Sequence, residues 1–223
     1  MKIKAIITGT TGMVGEGVLH ECLSHPDVES VLVINRRTCN TQHPKLKEII
    51  HDDFYDLTRI ENQLKDINAC LFCLGTTSVG KNAEEYTRIT FELTKIFADT
   101  LIKLNPEITF CYVSGSGTDS TEKGKIMWAR VKGKTENYLL NLGFKNAYMF
   151  RPALILPTKE LKNTLKLYKI LFPFLPLIKF LFPNSVCSLK EIGNAMINVV
   201  IKGYDRNVLE VRDIKKTSSD KTE

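Results

Sequence analysis

The sequence lacks several features that would assign a class of protein at once. None of its four histidines has a partner at metal-site spacing, His51 included, so we predict no bound metal. The net charge is only +6 and the basic residues are scattered, which argues against a nucleic-acid-binding surface. The most apolar segment has no uncharged stretch longer than nine residues, Ile170 to Ile178. Two prolines interrupt that stretch, so it cannot span a bilayer.

The remaining composition is that of an ordinary globular protein. Hydrophobic residues make up 43% of the 223 positions and charged residues 25%, which suits one domain with a sizeable core. Cys70 and Cys73 form a C-x-x-C motif in an apolar strand pattern, which favours core thiols over a redox pair or half of a zinc site. No secretory signal is recognisable near the first residue, so we expect reduced cysteines and a cytoplasmic location.

The first strand and the turn after it organise the chain. The apolar run from Ala5 to Ile7 predicts a buried parallel strand, and Val14, Val18 and Leu19 predict one face of the following helix. Between the strand and the helix, glycines recur with the spacing G-x-x-G-x-x-G. This order of strand, glycine turn and helix is typical of a nucleotide-binding cradle.

Each glycine of the turn has its own task. Gly9 permits a tight turn, Gly12 leaves room for a diphosphate, and Gly15 lets the helix pack closely. The amide groups of the first helical turn would face the phosphates, and the helix dipole favours their negative charge. The residues of this region that we predict to bind the cofactor are Gly9, Thr11, Gly12, Met13, Val14 and Gly15.

The end of the second predicted strand, Ser30 to Ile34, indicates which cofactor is bound. An acidic residue at this place would hold the ribose 2′-hydroxyl of NAD, but the sequence has Asn35 followed by Arg36 and Arg37. A carboxylate would repel a 2′-phosphate, whereas a guanidinium binds it bidentately. We therefore predict that these three residues contact the cofactor and that NADP(H) is preferred over NAD(H).

A later strand end should complete the cleft. The apolar run from Ala69 to Leu74 predicts another buried strand, and Gly75 and Thr76 follow it. A glycine at the carboxyl edge of a strand lets a cofactor pass closely, and ligands bind outside such edges in open α/β sheets. We therefore expect Leu74, Gly75 and Thr76 to contact the cofactor.

The sequence resembles the atypical short-chain dehydrogenases/reductases. Its glycine spacing is the form seen in extended and atypical members, and residues 73–77 and 131–136 are similar to the Tat-interactive reductase-like proteins. Residues 117–124 and 127–132 are similar to a bacterial epimerase/dehydratase-like set. The resemblance covers nearly the whole chain. It implies a Rossmann-type α/β fold with a doubly wound parallel sheet, in a single domain over residues 1–223 with a small C-terminal substrate-side segment.

The resemblance also implies further cofactor contacts. In this family an acidic residue followed by an apolar one approaches the adenine, and Asp53 with Phe54 matches that pair. Asp53 could equally be a loop or cap residue. An Arg-Pro pair followed by a small residue lies beside the nicotinamide carboxamide in this family. The matching residues here are Arg151, Pro152 and Ala153.

Short-chain reductases use a serine, a tyrosine and a lysine, the last two spaced Y-x-x-x-K on one helix. The tyrosine gives a proton to the carbonyl oxygen, the lysine lowers the tyrosine pKa and holds the ribose, and the serine orients the substrate. The resemblance places Lys132 at the lysine and Ser116 at the serine, with Ser114 as the alternative. Trp128 occupies the tyrosine position. Its indole N–H can donate a hydrogen bond but cannot release a proton near neutral pH.

Other interpretations of this helix remain open. Trp128 could be a core aromatic residue and Lys132 a surface charge. A shifted register pairs Lys134 with Tyr138, but in the reverse order of the family motif. Tyr86, at the start of a predicted helix over the cofactor, could reach a substrate and act as a substitute acid.

The C-terminal part combines an apolar segment with a regular end. Residues 158–187 are broken by prolines and could roof an apolar substrate pocket, lie peripherally on an anionic membrane surface, or form a dimer contact.

The predicted helix over residues 82–104 is commonly a dimer face in the family. Ser188 and Glu191 predict a capping box for a late helix, and residues 215–223 predict a polar, frayed tail.

Two functions follow from these observations. The first is an NADP-dependent oxidoreductase or epimerase-like enzyme with altered acid catalysis. Its substrate would be a small molecule, and the apolar segment makes an apolar one a candidate. The second is a non-catalytic NADP(H)-binding redox sensor or regulatory protein. The tryptophan at the acid position favours the second, whereas retention of Lys132, Ser116 and the Arg-Pro pair favours the first.

Overall fold

The computed structural model describes residues 2–158, 161, 163 and 183–219. Seven strands form one parallel sheet in the order β3-β2-β1-β4-β5-β6-β9, and two short strands, β7 and β8, form a second parallel sheet. The strands are β1 (Ile3–Thr8), β2 (Val28–Asn35), β3 (Leu46–Ile50), β4 (Ala69–Phe72), β5 (Thr109–Val113), β6 (Asn146–Arg151), β7 (Leu154–Leu156), β8 (Val186–Ser188) and β9 (Val208–Glu210). This confirms the predicted Rossmann-type fold.

Helices cover both faces of the large sheet. They are α1 (Met13–Ser24), α2 (Ala83–Thr87), α3 (Leu93–Leu104), α4 (Met127–Asn141), α5 (Leu189–Lys202) and α6 (Val211–Ser219). A π-helical segment, Arg88–Glu92, joins α2 to α3, so the helix predicted over residues 82–104 is present but locally widened. Short 3-10 turns occur at Glu61–Gln63 and Pro183–Ser185.

The core lies in two layers, one on each side of the large sheet. Ile3, Ala5 and Ile7 of β1 face the layer that contains α1, α5 and α6, and Ile6 faces the layer that contains α3. A parallel strand covered on both faces needs apolar residues at successive positions, because alternate side chains point to opposite layers. This is why the run around Ala5 is continuously hydrophobic.

The strand order reverses next to β1, and this reversal positions the site. From β1 the chain steps outward to β2 and β3, then returns to β4 on the other side of β1 and continues to β5 and β6. The loops after β1 and β4 therefore leave the sheet in opposite directions and open a crevice at the carboxyl ends of these strands. Ligands bind in such a crevice in open α/β sheets.

Two predictions for the C-terminal part of the chain can be compared with the structure. One concerns a helix cap and the other a frayed tail. The capping box at Ser188 and Glu191 is confirmed, since the serine side chain accepts from the amide of Glu191 and the glutamate accepts from the amide of Ser188. The frayed tail predicted over residues 215–223 is wrong for its first part, because α6 extends to Ser219. Ile214 and Thr217 of that helix are buried against the core, so packing orders a stretch whose composition is polar.

The proline-broken apolar segment lies for the most part outside the described residues. Its end is described and contributes β8, which pairs with β7 and was not predicted from the sequence. The three uses suggested for this segment therefore remain predictions. None of the helices in the described part of the chain is long and apolar enough to cross a membrane.

Candidate active site

A continuous cleft follows the carboxyl ends of β2, β1 and β4. Its two halves share Arg36, Phe54, Leu74 and Gly75. The predicted residues that line it are Gly9, Thr11, Gly12, Asn35, Arg36, Arg37, Phe54, Leu74, Gly75 and Thr76. Other lining residues, which the sequence did not indicate, are Ile34, Asp52, Tyr55, Cys73, Lys81, Ile89 and Leu93. The fold thus brings most of the predicted cofactor residues to one surface.

Some of the missed residues had a usable signal and others had none. Ile34 and Cys73 each stand directly before a predicted contact at a strand end, so a wider window would have included them. Ile89 and Leu93 come from the helix beyond β4, and only the folded chain shows that they face the cleft. Cys70 is buried as a core thiol, as predicted, whereas Cys73 is partly exposed at the cleft.

The glycine turn has the geometry that a diphosphate requires. Gly9 has φ +73°, and a Cβ there would lie 2.8 Å from the backbone of Cys73. A Cβ at Gly15 would lie 2.2 Å from the carbonyl oxygen of Gly9, so this glycine is needed for the helix to approach the turn. A Cβ at Gly12 would meet only that same carbonyl oxygen, at 3.4 Å, and would otherwise project into the cleft.

The first turn of α1 adds donors to this open space. Gly12 is the N-cap residue and provides no side-chain cap, so the amide groups that follow have no partner within the helix. Amide groups at a helix N-terminus attract phosphate oxygens, and the helix dipole adds to this attraction. The residues present therefore fit a dinucleotide diphosphate. Met13 and Val14 pack their side chains against the core, so only their backbone could contribute.

Asn35 and Asp53 do not present their side chains as predicted. The Asn35 side chain is buried, and its amide donates to Thr10 Oγ1 at 2.7 Å and to Glu48 Oε1 at 3.1 Å. Both donors are therefore used within the protein. Asp53 accepts a hydrogen bond from the amide of Tyr55 at 2.9 Å, which is the loop role considered as its alternative, and Asp52 lines the cleft instead.

The predicted catalytic residues converge at the carboxyl end of β5. Lys132 Nζ donates to the carbonyl oxygen of Ser114, and a Cβ on Gly115 would lie 3.7 Å from that nitrogen. The Trp128 ring lies beside the same turn, because its Cη2 would be 3.5 Å from a Cβ on Gly117. Trp128 is partly exposed, so it is not the core aromatic residue of the alternative interpretation.

Lys132 is not a surface charge. Burial lowers the pKa of its ammonium group to about 8, and the nearby carboxylate of Glu136 acts in the opposite direction. A lysine with a pKa near 8 carries a proton at neutral pH and can also release it. That is the property required of a general acid.

The two candidate serines have different environments. Ser114 is buried, and its hydroxyl donates to Glu136 and lies 3.2 Å from the carbonyl oxygen of Phe150. Ser116 is exposed, and its amide donates to the carbonyl oxygen of Pro152 at 2.9 Å. Only the hydroxyl of Ser116 is accessible to a ligand, which supports its assignment over Ser114.

Arg151 has a structural partner. Its guanidinium pairs with the fully buried Glu136, donates to Ser120 Oγ at 2.6 Å and lies 3.3 Å from Glu210. The pKa of Arg151 is raised, first of all by its hydrogen bond to Glu136. The arginine side chain is committed to this ion pair. Contact of Pro152 and Ala153 with a nicotinamide carboxamide stays a prediction.

The other tyrosines considered for the site have different environments. Tyr86 is 2% exposed, so its hydroxyl is not open to a substrate in this structure, which argues against a substitute acid. Tyr138 donates its hydroxyl to Asp99, and the Lys134 ammonium lies 4.2 Å from the centre of the Phe91 ring. In the shifted register, both side chains therefore contact residues of other helical segments and do not form a catalytic pair. In the part of the chain that the structure describes, no three His, Cys, Asp or Glu side chains form a group that could hold a metal ion.

The parallel sheet, the glycine turn and the cleft define an NAD(P)-binding protein of the Rossmann type. The chain belongs to the NAD-dependent epimerase/dehydratase family, whose sequence model matches residues 5–123. This agrees with the resemblance to atypical short-chain dehydrogenases/reductases.

Named fungal proteins are similar over much of the chain. "Protein FMP52, mitochondrial" from Meyerozyma guilliermondii is 25% identical over 232 residues, which covers 99% of this chain and 95% of that protein. "Protein fmp52-1, mitochondrial" from Aspergillus terreus is 29% identical over 163 residues, which covers 69% of this chain and 67% of that protein. Because these relatives are named as mitochondrial, the expectation of a cytoplasmic location is corrected.

Solved structures share the fold at low sequence identity. The Bordetella bronchiseptica enzyme WbmH in complex with NAD+ has a TM-score of 0.69 and 16% identity, covering 97% of this chain and 79% of WbmH. UDP-N-acetylglucosamine 4-epimerase from Methanobrevibacter ruminantium has a TM-score of 0.65 and 16% identity, covering 97% of this chain and 81% of the epimerase. At this identity the likeness concerns the fold alone.

Proposed function

We propose that this chain is an NADP(H)-dependent oxidoreductase or epimerase-like enzyme in which Lys132 supplies the proton that a tyrosine supplies in related reductases. The observation that carries the proposal is the partly buried ammonium of Lys132, which donates to the carbonyl oxygen of Ser114. Its pKa is lowered to about 8, and it lies with Trp128 beside the turn that carries Ser116. Desolvation of an ammonium group costs stability, and lysines with a lowered pKa are concentrated at functional sites.

Several parts of the chain would hold the cofactor. Gly9, Gly12 and the first amide groups of α1 would receive the diphosphate, and Phe54 with the residues after β4 would receive the adenine half. The site after β5 lies one strand beyond β4, so the nicotinamide half would extend toward Lys132. Bound NADPH supplies a hydride to an electrophilic carbon.

The protein's own groups then handle the oxygen of the substrate. When a carbonyl carbon gains a hydride, its oxygen gains negative charge and needs a proton. Protonated Lys132 gives that proton, and its neutral amine is recharged from solvent. The Ser116 hydroxyl and the Trp128 indole N–H can donate hydrogen bonds to the same oxygen, which orients a small carbonyl substrate without transferring a proton.

The choice of NADP(H) over NAD(H) rests on the end of β2. Arg36 and Arg37 are exposed at the cleft, and the position that would hold an acidic residue in an NAD-selective protein is Asn35. The buried asparagine places no negative charge against a 2′-phosphate. Two guanidinium groups on the rim of the cleft are suited to bind one.

Cofactor titration tests this proposal. NADPH should bind about 5- to 150-fold more tightly than NADH, as expected for a charge-assisted phosphate contact. Arg36→Ala and Arg37→Ala should reduce that ratio, whereas Arg59→Ala, an exposed arginine away from the cleft, should not. Equal affinities in the natural protein would contradict the NADP(H) assignment.

Turnover tests the role of Lys132. A panel of activated carbonyls should be reduced slowly by the natural protein with NADPH, and Lys132→Met should remove this activity. Because the proton donor is protonated Lys132, the rate should fall as the pH rises through about 8. A rate that is flat across this range would contradict the assignment of the proton donor.

The second candidate function is a non-catalytic NADP(H)-binding sensor, and Trp128 at the acid position favours it. In that case the natural protein would bind NADPH but reduce no carbonyl of the panel. Lys132→Met would then change only the affinity for NADPH, because there is no turnover to lose. The two functions therefore separate in the same pair of measurements.

A further inference from the structure

One carboxylate holds the loop that carries the two cleft arginines. Glu48 lies on β3, the edge strand beside β2. It accepts hydrogen bonds from Asn35 Nδ2 at 3.1 Å, from Thr38 Oγ1 at 2.7 Å and from the amide of Cys39 at 2.8 Å. Asn35 is the last residue of β2, and Thr38 and Cys39 belong to the loop that follows it. None of the three donors is adjacent to Glu48 in sequence.

These donors bracket the arginines. Asn35 precedes Arg36, and Thr38 follows Arg37 directly, so the carboxylate binds a side chain on each side of the pair. On the C-terminal side it also binds the backbone, through the amide of Cys39. The second amide hydrogen of Asn35 is donated to Thr10 Oγ1 at 2.7 Å, which connects the end of β2 to the glycine turn.

The hydrogen bond between Thr38 and Glu48 also belongs to a turn on the C-terminal side of the arginines. Thr38 Oγ1 donates to Glu48 and accepts from the amide of Asn40 at 3.1 Å. Asn40 has φ +52°, a left-handed conformation in which asparagine is tolerated better than most residues. The contacts with Glu48 and the turn from Thr38 to Asn40 therefore anchor the chain between Asn35 and Asn40.

Glu48 is charged in this position. Burial acts to raise the pKa of its carboxyl group, but hydrogen bonds from Cys39, Thr38 and Asn35 outweigh burial and hold the pKa below its ordinary value. A negative charge near the arginine loop would, by charge alone, weaken the binding of a phosphate. The hydrogen bonds of Glu48 would strengthen phosphate binding, because they order the loop whose arginines would bind the phosphate.

We propose that Glu48 is a positioning residue for cofactor discrimination, which holds Arg36 and Arg37 where their guanidinium groups meet the 2′-phosphate of NADP(H). The inference rests on the proposed preference for NADP(H). Ordering the loop before binding removes an entropy cost that NADPH would otherwise meet, whereas NADH makes no use of the arginines. Glu48 thus acts on the ratio of the two affinities.

Three variants separate position from charge. Glu48→Ala removes both the hydrogen bonds and the charge, and it should weaken NADPH about 5- to 50-fold with NADH changed less than about twofold. Glu48→Gln removes the charge but retains an amide oxygen that can accept from Asn35 and Cys39, so it should keep the NADPH preference. Thr38→Val removes a single hydrogen bond and should give a smaller loss. Glu29→Ala, a mostly exposed carboxylate at the start of β2 whose ion pair to Lys4 is 3.9 Å long, is the matched control.

Hydrogen exchange of the cofactor-free protein gives an independent readout. The Cys39 amide should be protected in the natural protein and in Glu48→Gln, and it should exchange faster in Glu48→Ala. This measurement is sensitive to the order of the loop and needs no cofactor.

The outcomes are distinct. If both Glu48 variants bind NADPH more tightly, the carboxylate acts only through its charge and the inference is overturned. A natural preference for NADPH that survives unchanged in Glu48→Ala also overturns the inference but leaves the proposed function standing. A natural protein without such a preference overturns both together.

Discussion

The fully buried carboxylate of Glu136 in α4 forms an ion pair with Arg151 at the end of β6. Glu136 also accepts from the hydroxyl of Ser114, whose carbonyl oxygen accepts from Lys132. The pair and its hydrogen bonds therefore connect three elements: α4, which carries Lys132, the turn after β5, and β6. Glu136 stands one helical turn after Lys132, so its place on the same helix face was readable from the sequence.

Breaking this pair should be costly. Arg151→Met leaves the carboxylate of Glu136 buried without its cation, which typically costs about 3–5 kcal/mol of stability. Urea unfolding should show this loss, and the double variant Glu136→Leu/Arg151→Met should recover much of it. Arg206→Met, which removes a largely exposed guanidinium, should cost less than about 1 kcal/mol and serves as the control. A similarly small loss for Arg151→Met would contradict the structural role.

The partly buried ammonium of Lys132 should give the protein a defined pH dependence of stability. Its pKa is lowered from 10.5 to about 8, so between these values the unfolded chain binds a proton that the folded protein has released. The free energy of unfolding should therefore rise with pH across this window, by about 2–3 kcal/mol relative to Lys132→Met. Urea unfolding of both proteins at several pH values measures the difference. If the two curves stay parallel, Lys132 is not desolvated in solution.

Two glycines of the same turn should respond differently to substitution. Gly12→Val places its side chain in the cleft and should abolish NADPH binding in a protein with native circular dichroism. Gly15→Ala should instead destabilise the fold, because its Cβ would lie 2.2 Å from the carbonyl oxygen of Gly9. Thermal unfolding and cofactor titration of both variants distinguish the two effects. Normal NADPH affinity in folded Gly12→Val would refute the cradle.

Trp128→Tyr should restore the Y-x-x-x-K pair, with the phenol one helical turn before Lys132. General acid catalysis contributes about a hundred- to ten-thousand-fold in rate, so even an imperfect rescue should raise carbonyl reduction by about tenfold or more. Trp128→Phe, which fills a similar space without a hydroxyl, should show no gain. Stability must be followed as well, since each smaller ring leaves some space unfilled.

The Trp128→Tyr result also depends on Lys132. Adding Lys132→Met to this variant should remove the gained activity, because the lysine depresses the pKa of the phenol. A gain that persists without the lysine would show that the tyrosine acts independently of it. An equal gain in Trp128→Phe would show that extra space, and not a new acid, is responsible.

The amino-acid sequence was sufficient to predict β1, β2 and β4, the glycine turn and the helix start at Ser188. These features follow from short-range patterns: apolar residues at successive positions for a strand covered on both faces, glycines at turn spacing, and a serine three residues before a glutamate. The ends of neighbouring parallel strands meet at one edge of a sheet. The lining of the cleft by Gly12, Arg36 and Gly75 was therefore predictable once the strands were assigned.

The hydrogen-bond partners of individual side chains became known only from the folded chain. Asn35 donates to Thr10 and to Glu48, and Arg151 pairs with Glu136, through partners that lie between 13 and 25 residues away in the chain. The order of α6 and the lowered pKa of Lys132 likewise depend on burial by distant elements. Burial and hydrogen bonding are properties of the packed chain, because each requires surfaces that are far apart in sequence to exclude water together.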